Sequence, residues 1–203
     1  MSVAKSLKTT LFALLAASLS LSAATPALAQ SQTHILKLDA KSHNQDNPVL
    51  LYLRAGTYRV TPIGRAQGGD KAAWSVWQQT NCTQVRGCVR SVPTRFTGLH
   101  TNYYVMSDQL GAVTVQGSTI PQVDETPRDR LHSYYLVNDT TRAFEVTQPR
   151  VYADEASALA GALSATFTLN QGARVGFALL DNSRVRDNRG GMSLKITPVQ
   201  SNP

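Results

Sequence analysis

The chain is poor in cysteine, tryptophan and histidine, with two, two and four in 203 residues. Those histidines, His34, His43, His100 and His132, lie far apart, and no His-x-x-x-His pair occurs. There is no Gly-x-Ser-x-Gly elbow and no Gly-x-x-x-x-Gly-Lys phosphate loop. Zincin, nucleophile-elbow and P-loop chemistries are therefore not expected. Charged residues make up only 16% and aromatics 7% of the chain. The basic residues are scattered rather than interleaved with aromatics, so nucleic acid is not an expected partner. Four carboxylates, Asp124, Glu125, Asp154 and Glu155, are the nearest approach to a glycosidase pair. They fall in a charged excursion and at a helix start, where solvated roles are commoner, so an enzyme is not expected.

The N-terminus reads as an export signal. Residues 1–8 carry Lys5 and Lys8 and no acid, 11–23 are apolar apart from small serines, and Pro26-Ala27-Leu28-Ala29 precedes a cut. Thirteen residues fall short of the roughly 20 that span a bilayer, and no later run is apolar enough. The expectation is a signal peptide over 1–29 and a single domain over 30–203, periplasmic or secreted, with no membrane span. Without Lys5 and Lys8, 18 basic side chains face 13 acidic ones, a net charge of +5. In an exported protein Cys82 and Cys88 are expected to close a short disulfide loop. The oligomeric state is not legible.

Hydrophobic period 2 dominates the mature chain. "GTYRVTPI" sets Tyr58, Val60 and Pro62 against Thr57, Arg59 and Thr61, and "MSLKIT" sets Met192, Leu194 and Ile196 against Ser193, Lys195 and Thr197. Short strand-like runs also occur at 49–53, 103–106, 112–116, 133–137, 144–147, 166–169 and 175–180. Such a series predicts an all-β sandwich or barrel. One alanine-rich stretch, 152–164, opens on Asp154 and Glu155 and predicts one or two helical turns crossing between sheets. The segment 117–130 is the expected exposed excursion. Tyr103-Tyr104 and Tyr134-Tyr135 are expected to place one ring inward and one outward. Trp74 and Trp77 point to different faces of a strand-like run, one toward the core and one toward a rim where an indole stacks on sugar.

One loop stands out. "DNSRVRDNRGG" packs Asp181, Asn182, Ser183, Asp187 and Asn188 into eight positions, followed by Gly190-Gly191. Two readings are open. Carboxylate and amide oxygens suit calcium, which takes six to eight oxygen ligands, and the glycines permit the necessary backbone reversal. The same residues also make an ordinary Asx-rich turn. It is not an EF-hand: counting from Asp181, position five is Val185 and position twelve is Met192. Arg184, Arg186 and Arg189 oppose a dication and suit an acidic ligand.

"FALLDNSRVRDNRGGMSLKI" resembles the calcium loop and last strand of the galactophilic, calcium-dependent bacterial lectin family of PA-I type. An "AGTYRV" strand at 55–60, an aromatic pair at 72–77, a helix leading to "FTL" at 152–169 and the close at 187–194 are similar to exported bacterial proteins of unknown role. The lectin resemblance implies a jelly-roll-like β-sandwich in which calcium bridges the loop and a sugar. It implies Asp181, Asp187 and Asn188 as metal ligands, with Asp181 also touching the sugar. From their own chemistry Asn182, Trp77 and Arg184 are further candidates to contact the carbohydrate or acidic glycoconjugate. Asp181 matches the family's strand-end Asp, and Asp187-Asn188 its paired asparagines. The loop is one residue shorter, so Ser183 or a carbonyl near Arg184 stands in for the family's mid-loop Thr. A further backbone ligand is expected from 64–71. The family's His-Pro-x-x-Gln sugar contact is absent, so calcium carries over better than galactose. The expected function is an exported, calcium-binding, carbohydrate-binding module. The alternative is a structural envelope or matrix protein in which calcium only stabilises the fold.

Overall fold

The structure is a computed structural model that describes residues 32–44, 47–76, 98–123, 141–148, 150–179 and 188–200. The expected signal peptide, the strand expected at 133–137 and the Tyr134-Tyr135 pair lie outside the described residues.

Within them the chain is an all-β sandwich with one short helix. In order come β1 (His34–Asp39), β2 (Val49–Leu53), β3 (Gly56–Ile63), β4 (Trp74–Val76), β5 (Tyr103–Ser107) and β6 (Leu110–Val115). Then come β7 (Ser118–Thr119), β8 (Arg142–Val146), helix α1 (Glu155–Gly161), β9 (Ala165–Leu169), β10 (Ala173–Leu179) and β11 (Asn188–Pro198). One antiparallel sheet has the order β1-β11-β3-β9-β6-β7, with β4 also paired to β11; the other has β2-β10-β5-β8. The blocks β1-β11-β3-β9 and β2-β10-β5-β8 carry the strand order of a jelly roll, in which strands consecutive among these eight alternate between sheets except at the β5–β8 pair. The β6–β7 hairpin extends one edge.

This order sends four connections to one end. There the chain leaves β1, β3, β8 and β10 and enters β2, β5, β9 and β11. The parallel bridge Asn44↔Leu179 joins the first connection to the end of β10, and Leu99↔Tyr152 joins the second to the third. We refer to this as the loop end.

Alternation fixes the large sheet. In β3, Tyr58 and Val60 are buried while Arg59 is exposed and Thr57 and Thr61 are half-buried. The inward rings stack across the core: Tyr58 lies 5.6 Å from Phe167, and Phe167 lies 6.4 Å from Phe177 of the opposite sheet. Pro62 sits where β3 pairs with β11 alone, because β9 pairs only as far as Val60. A residue without an N–H is tolerated there. Helix α1 is shorter than the 152–164 stretch predicted. It starts at Asp154, whose side chain accepts from the Ser157 N–H at 2.8 Å, and Tyr152 is taken up by the bridge to Leu99. It crosses between sheets, from β8 to β9.

Two expectations change here. Tyr103 and Tyr104 are both buried, at 0% and 4% exposure. Tyr104 does face outward, but it packs with Met106, Ala143 and Ala178, half-covered by Val123. The excursion expected from 117 is exposed at Gly117, Ser118 and Thr119, but it begins as a paired strand, with Ser118 and Thr119 opposite Val115 and Thr114.

Candidate functional site

The last strand organises the loop end. β11 pairs with β1 on one side, Ser193 opposite Lys37 and Gly191 opposite Asp39. On its other side β3 pairs as far as Ser193. The chain then makes a short excursion through a 3-10 turn, Arg65–Gln67, and returns to the same strand. The Ser193 N–H donates to Lys71 O at 2.8 Å and the Gly191 N–H to Ala73 O at 3.0 Å. Strand β4 completes the ladder, with Val76 opposite Asn188. Ser193 Oγ anchors the excursion, accepting the Asp70 N–H at 2.7 Å and the Lys71 N–H at 3.3 Å.

The consequence is a buried polar start to β11. Asn188 and Arg189 are 0% and 1% exposed. Asn188 Nδ2 donates to Ala40 O at 2.9 Å. That carbonyl can only accept, so the amide nitrogen must face it and Oδ1 turns away. Asn188 Oδ1 is buried and has no hydrogen-bond partner among the described residues. A buried oxygen left so costs about 1–3 kcal/mol, which is why such an atom calls for an explanation. An amide oxygen is the hard donor that calcium takes.

Of the sequence-predicted site residues, Asn188 is thus the one whose surroundings are on view. Asp181, Asn182, Arg184, Asp187 and Trp77 lie outside the described residues, as do Cys82 and Cys88. Trp74 is 3% exposed, its Nε1–H reaching Asn102 O at 3.4 Å and its ring 5.1 Å from that of His100. It is core, not a rim platform. The segment 64–71, expected to supply a backbone carbonyl, lies against Ser193 rather than Asn188. The carbonyl that meets Asn188 belongs to Ala40. No sequence signal singles out Ala40, because only the β1–β11 register brings it there. Asp154 is a helix cap, not half of a carboxylate pair.

Beside this start, Lys71 Nζ makes an ion pair with Asp39 Oδ2 at 2.5 Å and reaches Gly190 O at 3.3 Å. Burial pushes the Asp39 carboxyl up, but the Lys71 ammonium and the Lys41 N–H outweigh it and hold the group below its ordinary value. His43 Nδ1 accepts the Asp39 N–H at 2.9 Å while His43 O accepts the Leu179 N–H at 2.8 Å. Burial and the Lys71 charge lower the His43 pKa against the opposing pull of Asp39. Burial alone lowers that of His100. Among the described residues no three of His, Cys, Asp and Glu converge as a metal site.

Fold and geometry together define an antiparallel jelly-roll sandwich whose last strand begins on a buried, polar loop end. Comparison of the chain with protein-family models, with curated proteins and with solved structures returns no match.

Proposed function

We propose that the protein is an exported, calcium-dependent carbohydrate-binding module, with Asp181, Asp187 and Asn188 holding the ion. Asp181, Asn182, Trp77 and Arg184 contact a sugar, acidic in preference to neutral because of Arg184 and Arg186; Arg189 is buried and donates to the Asn188 carbonyl instead. The observation that carries this reading is the buried Asn188 Oδ1, unpartnered among the described residues and next in sequence to Asp187. Extracellular calcium modules bind at about 10⁻⁴–10⁻³ M, and that range is the expectation here.

Melting with calcium or with EDTA tests the metal. At calcium about 100 times Kd, linkage supplies about 2.7 kcal/mol, which raises Tm by several degrees. Asp181→Asn and Asp187→Asn should each shrink that rise. An unchanged Tm at that calcium excess returns Asp181 to the role of a turn residue. A glycan array run with calcium and with EDTA then tests the ligand. A second reading, a structural envelope or matrix protein that calcium only stabilises, draws on the burial of Trp74. It predicts the melting shift without any calcium-dependent glycan signal.

A further inference from the structure

The register of the large sheet lines up three cations that the sequence keeps far apart. Lys37 lies opposite Ser193, Lys195 lies opposite Ile35, and Arg59 lies opposite Thr197. All three belong to the outward set, since their chain neighbours Leu38, Leu194 and Val60 are buried in the core. Each step from Lys37 to Lys195 to Arg59 moves one strand sideways and two residues along, always in the same sense. They therefore form a straight diagonal across β1, β11 and β3. Diagonal neighbours in a sheet stand about 7–8 Å apart, so the three charges mark out a line about 15 Å long. The next step of that diagonal is Thr168, opposite Thr57 on β9.

Among the described residues no carboxylate forms an ion pair with the line. Lys37 and Arg59 are exposed and Lys195 half-buried. Asp39 and Asp70 share a shallow pocket with Lys37 and Lys71 at the loop end of the line, where Asp39 is held by Lys71. Away from the diagonal the face is hydroxyl rather than apolar: Thr166, Thr114 and Thr119 continue the row of Arg59 across β9, β6 and β7.

We infer that the outer face of the large sheet is a second binding surface, for an extended anionic polysaccharide with carboxylate groups along the chain. A flat row of unpaired cations attracts a linear polyanion, and threonine hydroxyls exchange hydrogen bonds with its hydroxyl groups. Single-stranded nucleic acid would want stacking rings, and no described strand residue on this face is aromatic. A membrane surface would want apolar insertion, and the one large exposed apolar side chain described on these strands is Ile35. This surface needs no calcium, so it stands or falls apart from the function proposed above.

The test is binding of the full chain to immobilised polygalacturonate in EDTA, at low and at moderate salt. Binding should persist in EDTA, weaken as salt rises, and fall about tenfold or more in Lys37→Gln/Arg59→Gln/Lys195→Gln. The control Arg54→Gln/Arg174→Gln, which removes two exposed cations outside this face, should bind as the wild type does. An unchanged Tm establishes that the triple variant is folded; should it melt early, Arg59→Gln alone must still weaken binding severalfold. The inference is overturned if the wild type does not bind, if the triple variant binds equally well, or if the control pair loses as much. Equal binding to neutral dextran overturns it too, as does tighter binding to vesicles containing phosphatidylglycerol.

Discussion

The two outer faces of the sandwich differ sharply. On the large sheet most outward positions are polar, chiefly Thr, Lys and Arg with Ile35 the apolar exception, and they alternate with the core. On the small sheet, Tyr104, Met106, Ala143 and Ala178 face outward and are nonetheless buried. The Val123 N–H donates to Ala143 O at 2.9 Å, which brings the chain after β7 alongside β8. Pro48 lies against Gly176 beside Met106. One sheet thus has a single apolar face and the other has two. A face left in water is free to carry binding groups, whereas a covered one is committed to stability.

Truncation should expose that difference most strongly. Met106→Ala removes a side chain that is 0% exposed on the small sheet's outer face. It should cost about 2–4 kcal/mol in urea unfolding. Thr61→Ala, at an outward position on the large sheet, should stay within about 0.5 kcal/mol. Equal costs at the two sites would erase the distinction between the faces.

Glycine gives the next effect and marks where the open face stops being tolerant. Gly191 lies opposite Asp39, where a Cβ would overlap the carbonyl oxygen of Leu38. Because the obstacle is backbone, no rotamer change relieves it. Gly191→Ala should cost about 1–3 kcal/mol, more than a substitution at Gly117, where a Cβ would meet open space. At Gly117, however, φ is +82°, so the comparison there is best made with Asn, which adopts that region readily. If Gly191→Ala left stability unchanged, the close approach of β1 to β11 would be disproved.

The same contrast decides what the sequence can reveal. β3 and β11 are legible because one face is wet and the hydrophobic period is 2. β5 and β10 read only as short apolar runs, since burial on both sides removes the alternation that tells direction. That is why the Tyr103-Tyr104 pair reads as one ring inward and one outward, with no sign that the outward ring is covered. β1 is missing from the predicted strands: "HILKLD" has only Leu36 and Leu38 pointing clearly inward, and no turn residue precedes it. β4, with three residues, is held by pairing to β11 rather than by any preference of its own. At the site, the Asp and Asn content of 181–188 is plain in the sequence, but the burial of Asn188 is not. A polar residue in a polar stretch gives no hint that it opens a core strand. The diagonal of Lys37, Lys195 and Arg59 is invisible for a different reason: it exists only in the register of three strands.

Acid should act last and least, and where the two sheets are tied. His43 bridges them, its Nδ1 accepting from Asp39 of β1 and its carbonyl from Leu179 of β10. Protonation at Nδ1 removes that acceptor and sets a new cation beside Lys71. Folding lowers the His43 pKa from 6.5, and that of His100 likewise, so the unfolded chain binds more protons as pH falls below that value. The stability these groups contribute is full above about pH 6.5 and is lost as pH drops through their folded values. Asp39, also lowered, from 3.8, contributes a second decline in the same direction at still lower pH. Melting temperature should therefore be level near neutrality and begin to fall below about pH 6.5. His43→Gln should flatten part of that first decline and leave the second, whereas Asp39→Asn should act on the second. A wild-type curve level down to about pH 5 would remove His43 as the tie between the sheets.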